Sequence, residues 1–418
     1  MEVIHPRCCG IDVHKESVVA CLRLQEGRRV KAEVRRFGTT TAELLRLTEW
    51  LSQAACTHVA MESTSVYWKP VFNLLEGSFE VVLANARHIK AVPGRKTDVK
   101  DCEWLADLLG HGLIRASFIP PPPIRDLRDL TRHRKSLVRD RVKATNRVHK
   151  LLETANIKLA NVVSDVLGVS GRAMLDALAA GETDPEHLAK LARGSLIPKV
   201  KPLAEALCGR FTSHHAFLLG QMLTQLDQLA VLIARCDVRI LEVAKPFEPD
   251  IQRLQTIVGV GRRAAEVLVS EIGVDMSQFS TAGHLASWAR ICPGNHQSAG
   301  KRRSVGTGTG NNWLRTVLLE CAWAAAHSRK SYLGAQFRRI SKRRGPKRAG
   351  IAVAHSILVI TYHMLRNGVD FHDLGADYFD RMNTAKLKRY HLRRLAELGC
   401  DVSALTIFTE GSGMELSR

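Results

Sequence analysis

The stretch that decides the reading of this chain is "CCGIDVH", Cys8–His14. It has the short, apolar, β-branched character of a strand, yet Asp12 stands in its middle. An unpaired carboxylate inside an apolar strand is expensive, which makes Asp12 the first candidate for a functional residue. Working outward, "SVVACLRL" (17–24) and "RVKAEVRRFG" (29–38) read as two further strands with turn signals between the three. "TTAELLRLTEWLSQA" (40–54) is an amphipathic helix with threonine capping chemistry at its start. "THVAME" (57–62) and "FEVVLAN" (79–85) are a fourth and a fifth strand, and "DVKDCEWLADLLGHG" (98–112) is a helix ended by glycine. Three strands, helix, strand, helix, strand, helix is the order of a ribonuclease-H-like α/β domain.

That order gives Asp12 company. Glu62 ends the fourth strand, which is the neighbour of the first in such a sheet. Asp98 and Asp101, three apart at the start of a helix, share a face. Carboxylates brought together repel unless a cation lies between them. Mg²⁺ takes oxygen ligands and keeps positions for water or substrate phosphate. Two such ions can stabilise both oxygens of an in-line phosphoryl displacement. The plainer reading of Asp98 is a charge complementing the helix dipole, and a lone strand Asp is usually a turn or edge residue. Asp12 is the strongest of the four. Glu103 and Asp107, further along the helix, read as solvated. His14 shares the face of Asp12 by the period of two, although a carboxylate-rich site does not need it.

Composition points to the substrate. The chain has 418 residues, enough for two or three domains, and 45% are hydrophobic, enough for real cores. The net charge of +20 and a pI of about 9.8 indicate a polyanionic partner. The charge is concentrated. Between Asp275 and Asp370 the only acid is Glu320, against fifteen Lys or Arg. Arg125–Lys150 holds ten Lys or Arg against three Asp. The ten cysteines are scattered without a CxxC pair, as expected of reduced thiols in a cytosolic protein. "MEVIHPRCCG" lacks the apolar core of a signal peptide. The late apolar run Ile351–Leu365 contains two histidines and reads as too short for a bilayer. The expectation is a cytoplasmic, nucleoid-associated protein with no membrane role and with nucleic acid as its partner.

The rest of the chain divides by pattern. "IPPPPIR" (Ile119–Arg125) closes the first domain, because four prolines continue neither helix nor sheet. A long basic helix follows, with Leu130, Leu137, Ala144 and Leu151 every seven residues. Two cleaner heptad series, Leu219, Leu226, Ile233, Ile240 and Met222, Leu229, Cys236, Val243, give a coiled-coil signal. A buried helix hairpin and a seam between subunits fit that signal equally. Residues 160–210 read as short helices and loops. "LQTIVGVGRRAAEVLVSEIG" resembles a helix-hairpin-helix: Gly259 and Gly261 would let backbone approach a phosphate, with Arg262 and Arg263 directly after the turn. The plain alternative is a helical hairpin. The expected organisation is 1–120, 121–250, 251–370 and a tail, 371–418, with no assigned role.

"NHQSAGKRRSVGTGTGNNW", Asn295–Trp313, offers hydroxyls on a glycine-rich cationic loop. Ser298 precedes two small residues and then Lys301, Arg302 and Arg303. Most loop serines merely cap a turn. A hydroxyl beside cations can also act as a nucleophile on a phosphodiester and store its energy as a phosphoserine ester.

Together, "GIDVHKESVVACL", "MESTSVYW", "GRKTDVKDCEWLADLL", "VGVGRRAAEVLVSEIG" and "LASWARICPGNHQSAGKRR" resemble the DEDD transposases of insertion sequences of the IS110 type, relatives of the pilin-gene invertases. The resemblance covers about residues 3–120 and 250–365. It implies a RuvC-like N-terminal domain, a helical coiled-coil middle and a mostly α-helical C-terminal transposase domain with a helix-hairpin-helix and a catalytic serine. It places the DEDD acids on Asp12, Glu62, Asp98 and Asp101 and the serine on Ser298. It further implies Mg²⁺, double-stranded DNA as substrate, a bridge RNA as guide, and a homo-oligomer from dimer to tetramer. The acids and the serine lie on opposite sides of the heptad helices, so a composite site is expected, with Ser298 of one subunit meeting Asp12 of another. Beyond these motifs, the basic run Arg343, Arg344, Lys347 and Arg348 is expected to meet nucleic acid.

Three rivals share some of these features. A RuvC-type nuclease using metal-activated water would need the acids but not Ser298. A tyrosine recombinase would use His363-x-x-Arg366 with Tyr378 or Tyr390, leaving the acids unexplained. A non-enzymatic nucleic-acid-binding protein explains the charge but not Asp12.

Overall fold

The three N-terminal segments form strands where the alternation places them. β1 (Arg7–Val13), β2 (Ser17–Glu26) and β3 (Arg29–Gly38) make an antiparallel meander. The chain then forms α1 (Thr41–Gln53), β4 (His58–Glu62), α2 (Trp68–Leu75) and β5 (Glu80–Ala84). β4 pairs parallel with β1, and β5 parallel with β4, giving one five-stranded mixed sheet in the order β3-β2-β1-β4-β5. This computed structural model describes residues 2–27, 29–63, 66–84, 101–292, 297–298, 301–302, 306, 308, 310–382 and 384–399.

Alternation gives the sheet two buried faces. Cys9, Ile11, Val13, Val59 and Met61 pack on Leu44, Leu47 and Leu51 of α1 and on Val71 and Leu75 of α2. Thr40 starts α1, its hydroxyl accepting from the Glu43 amide, a cap worth about 1 kcal/mol. The opposite face, with Cys8, Cys21 and Ala60, is covered by Cys102, Ala106 and Leu109 of α3 (Asp101–Gly110).

The chain divides into two compact units, Met1–Pro120 and Pro121–Arg418. The second opens with α4 (Pro122–Thr154), a 33-residue helix. Two of the four prolines expected to stop regular structure instead begin it: Pro122 and Pro123 occupy the first turn, where no backbone N–H is required. Short helices α5 (Val169–Ala179), α6 (Pro185–Ala189) and α7 (Val200–Leu207) follow. Then comes the 32-residue α8 (Ser213–Ala244).

The heptad residues Leu219, Leu226, Leu229 and Ile233 of α8 share a core with Leu137, Ala144 and Leu151 of α4. Arg134, early in α4, pairs with Asp237, late in α8, so the two helices run antiparallel. The heptad signal is therefore spent within one chain, as a helix hairpin.

The remaining helices are α9 (Glu248–Gln255), α10 (Arg262–Ile272), α11 (Ala282–Trp288), α12 (Asn312–Ala326), α13 (Tyr332–Arg344), α14 (Pro346–Asn367), α15 (Tyr378–Met382) and α16 (Thr384–Glu397). α12 packs against α10 and α14, burying Leu268, Val269, Leu314, Leu318, Val353 and Ile357. Ser213–Gln255 and Pro346–Asn367 are long and apolar enough to cross a membrane. For the second this corrects the length expected from Ile351–Leu365. Both nevertheless lay buried stripes into the cores just described, as core helices do.

Candidate functional site

The sheet brings two of the four acids side by side. β1 and β4 are in register through Ile11↔Met61, and Asp12 and Glu62 follow directly on each strand. The period of two turns Gly10 and Asp12 to one face, together with Ala60 and Glu62. α3 lies on that face because Gly10 has no side chain: a Cβ there would come 2.1 Å from the Cys102 carbonyl oxygen and 2.4 Å from the Ala106 nitrogen. The close approach sets Asp101, the first residue of α3, at the same end of the sheet as Asp12.

Burial pushes the Cys102 thiol up, and Asp12 is among the charges adding to that shift, which puts Asp12 within electrostatic reach of the first turn of α3. His14 Nε2 lies 3.0 Å from Asp12 Oδ2, on the predicted shared face. Asp98 lies outside the described residues.

Donor chemistry at this end of the sheet suits a hard cation. Its acids offer carboxylate oxygens beside the His14 imidazole, and burial pushes up the thiols nearest them, Cys102 and Cys21, the latter to about 12, so they stay protonated. Among the described residues, no three His, Cys, Asp or Glu come close enough to form a complete metal-holding group.

In the second unit, Ser298 lies in a two-strand hairpin. β6 (Gln297–Ser298) pairs antiparallel with β7 (Lys301–Arg302), setting Ser298 opposite Lys301 in the backbone register. Arg303 lies outside the described residues. Downstream the segment ends at Asn311, whose Oδ1 accepts from the Trp313 and Leu314 amides and so caps α12.

At the turn between α9 and α10 the glycines and arginines have different surroundings. Gly259 has φ +90°, and a Cβ on it would come 2.5 Å from the Cys321 carbonyl oxygen. This glycine lets α12 approach. Gly261, preceding α10, faces open space. Arg262 already holds Glu248 through two 2.7 Å hydrogen bonds and Glu266 at 3.0 Å. Arg263 holds Glu266 at 2.9 Å and Asp237 at 2.8 Å. Both guanidiniums are thus committed to carboxylates, Glu266 being only 1% exposed. By contrast, Arg343 and Arg344 at the end of α13 and Lys347 and Arg348 at the start of α14 are exposed around Gly345. Among the described residues, no acid pairs with these four.

The tyrosine-recombinase motif serves packing. Buried Tyr362 donates to the Phe279 carbonyl at 2.9 Å, and Arg366 donates to the Tyr362 hydroxyl at 2.6 Å. Tyr378 packs edge-on against Tyr332. The sequence reading missed Glu266 and Glu271, two buried acids in α10. The available signal was two glutamates, Glu266 and Glu271 in "VSEIG", on a helix that is largely apolar after its two leading arginines.

Two family models match the chain, in order. A DEDD transposase model of the IS110 type takes residues 9–157, and a transposase model of the IS116/IS110/IS902 family takes residues 251–338. Together they span more than half of the sequence, and the chain belongs to the IS110 family of insertion-sequence transposases. Among curated relatives it is 27% identical to the putative transposase y4rJ of Sinorhizobium fredii, over 66% of this chain and 67% of that one. It is 24% identical to the transposase for insertion sequence element IS1328 of Yersinia enterocolitica, over 66% and 73%. A shorter match, 32% identical over 28% of this chain and 37% of the relative, is to the pilin gene-inverting protein of Moraxella bovis.

Proposed function

We propose that this transposase cleaves and rejoins DNA through a phosphoserine formed on Ser298, with Asp12, Glu62, Asp98 and Asp101 of a RuvC-like domain holding Mg²⁺, one or two ions. The observation carrying the metal site is the placement of Asp12 and Glu62 at matching ends of two adjacent parallel strands, beneath the helix that begins at Asp101. The β3-β2-β1-β4-β5 order supports the ribonuclease-H-like reading. The Ser298 hydroxyl attacks a DNA phosphorus, its proton passes to solvent or to the leaving oxygen, and the bond to the 3′ oxygen breaks, leaving a 3′-hydroxyl and a phosphoserine. A 3′-hydroxyl of the exchanged strand then attacks that phosphorus and releases the serine. Bound Mg²⁺ supplies charge stabilisation at the phosphoryl oxygens. Lys301, Arg302 and Arg303 hold the backbone beside the serine. The α9–α10 hairpin, through Gly261 and the α10 N-terminus, and the Arg343–Arg348 turn extend the DNA contact, with double-stranded element ends and target as substrate. A structured bridge RNA guides a dimer to tetramer, the two basic regions serving two polyanions.

The test traps the reaction with denaturant and maps the DNA-linked peptide by mass spectrometry. Ser298→Ala binds DNA but forms no adduct and no recombinant, Ser304→Ala keeps substantial activity, and Asp12→Ala loses cleavage in Mg²⁺ while keeping DNA binding. Cleavage without any adduct supports a water-using nuclease instead, and an adduct on another residue moves the nucleophile. Purified protein should also retain a discrete RNA; full recombination by RNA-free protein removes the guide.

A further inference from the structure

Glu271, in the last turn of α10, is 0% exposed. A carboxylate without water must be paired and hydrogen-bonded to be tolerated, and its partners come from two other helices. From α4, Arg132 binds it with two parallel hydrogen bonds, Nε to Oε1 and Nη2 to Oε2, both 2.8 Å. From the start of α12, Asn311 Nδ2 donates to Oε2 at 2.6 Å. Arg128, one turn before Arg132, donates to the Ser270 and Glu271 carbonyls at 2.9 and 2.7 Å, and Thr131 meets the Ser270 hydroxyl at 3.0 Å. α4 is thereby clamped to the end of α10 through both backbone and side chain.

Asn311 uses both ends of its amide: the oxygen caps α12 and the nitrogen reaches Glu271. It also stands at the downstream limit of the segment carrying Ser298. The upstream limit is held at the same place. Arg290, with φ +55°, lies against Gly310, where a Cβ would meet the Arg290 Cβ at 2.5 Å and the Ala289 carbonyl oxygen at 2.6 Å. The two flanks of the segment, at Arg290 and at Gly310, are therefore in contact.

We propose that Glu271 is a positioning residue for the serine: through Asn311 it anchors the exit of the Ser298 segment to the long basic helix α4. The proposal rests on the reading of Ser298 as nucleophile. A buried ionic network adds little net stability compared with apolar packing, but its directional bonds fix where a backbone enters and leaves. A nucleophile displaced by about 1 Å can lose about a hundredfold in rate.

The test changes the link and spares the cap. Asp caps a helix about as well as Asn, so Asn311→Asp keeps α12 but sets a second carboxylate against Glu271. Asn311→Ser keeps a capping oxygen and removes the donor without adding charge. The pair Glu271→Gln with Asn311→Asp restores one hydrogen bond with donor and acceptor exchanged, and the glutamine oxygen still accepts from Arg132. Single-turnover DNA cleavage, DNA affinity and thermal midpoint are measured for the full-length protein and each variant. The expected result is a loss in cleavage rate of tenfold to about a hundredfold in Asn311→Asp. Asn311→Ser should lose less and the double variant should recover most of the rate, with DNA affinity unchanged throughout. Wild-type rates in both single variants, or a double variant no faster than Asn311→Asp, overturn the proposal. A wild-type adduct mapped away from Ser298 removes the underlying reading, whereas a Ser298 adduct formed at an undiminished rate in Asn311→Asp removes this inference alone.

Discussion

Two glycine turns flanked by arginines look alike in the sequence and differ in the structure. In "GVGRR" (259–263) the arginines are bound to Glu248, Glu266 and Asp237, and Gly259 is pressed against α12. In "RRGPKR" (343–348) the four cations are exposed, and Gly345, with φ +81°, has open space where a Cβ would stand. The side chains of a basic turn can bind phosphate only where their charges are uncommitted. The first turn spends its cations holding α8, α9 and α10 together; the second keeps them for solvent or for a polyanion.

The largest effect expected from this contrast is on stability. Arg262→Ala combined with Arg263→Ala leaves Glu266 buried without its two cations, and should cost about 3–5 kcal/mol by chemical denaturation. A double variant of wild-type stability that has lost DNA affinity would reverse the assignment. The same pair predicts a pH signature. Hydrogen bonding from Arg262 holds the Glu248 carboxyl below its usual range. Because the folded value lies below the unfolded one, that contribution is full above the ordinary carboxylate range and is lost as pH falls through the folded value. Arg262→Ala should flatten this part of the acid limb in a titration of stability against pH.

The next effect separates the glycines. Gly259→Ala meets both a left-handed φ and a carbonyl oxygen at 2.5 Å, and should destabilise by about 2–4 kcal/mol. Gly345→Ala meets only the φ, at about 1–2 kcal/mol. Equal thermal shifts for the two would mean that α12 yields at Gly259.

The smallest effect on stability, within about 0.5 kcal/mol, is expected for Lys347→Ala with Arg348→Ala. That variant should instead lower the slope of log affinity against log salt by about 1–2, roughly one unit for each phosphate that is no longer neutralised. An unchanged slope removes the Arg343–Arg348 turn from the DNA surface.

How much of this was legible follows from the range of each signal. The strands were readable because alternation is a local property, and once β1 and β4 were recognised their adjacency carried Asp12 and Glu62 together. Gly10 was silent, because its role is set by α3, some ninety residues later. The heptads of α4 and α8 announced a seam but not its partner, since an apolar stripe packs equally well on its own chain or another; the Arg134–Asp237 pair fixed the direction. Prolines at 122 and 123 read as breakers, whereas at a helix start they are compatible with the first turn.

By itself, the sequence determined what is written within a few residues: strand and helix periods, the acid in an apolar strand, the serine before its cations, and the excess of positive charge. Tertiary structure alone decided which charges are free. Glu271 and Arg132 are ordinary helix residues in sequence, and they pair only when α4, α10 and α12 meet; Glu266 holds Arg262 and Arg263 within its own helix, but its burial is set by the helices around it. The reason is physical. A charge in water is nearly indifferent to its neighbours, while a charge without water must find its partner wherever the fold puts it.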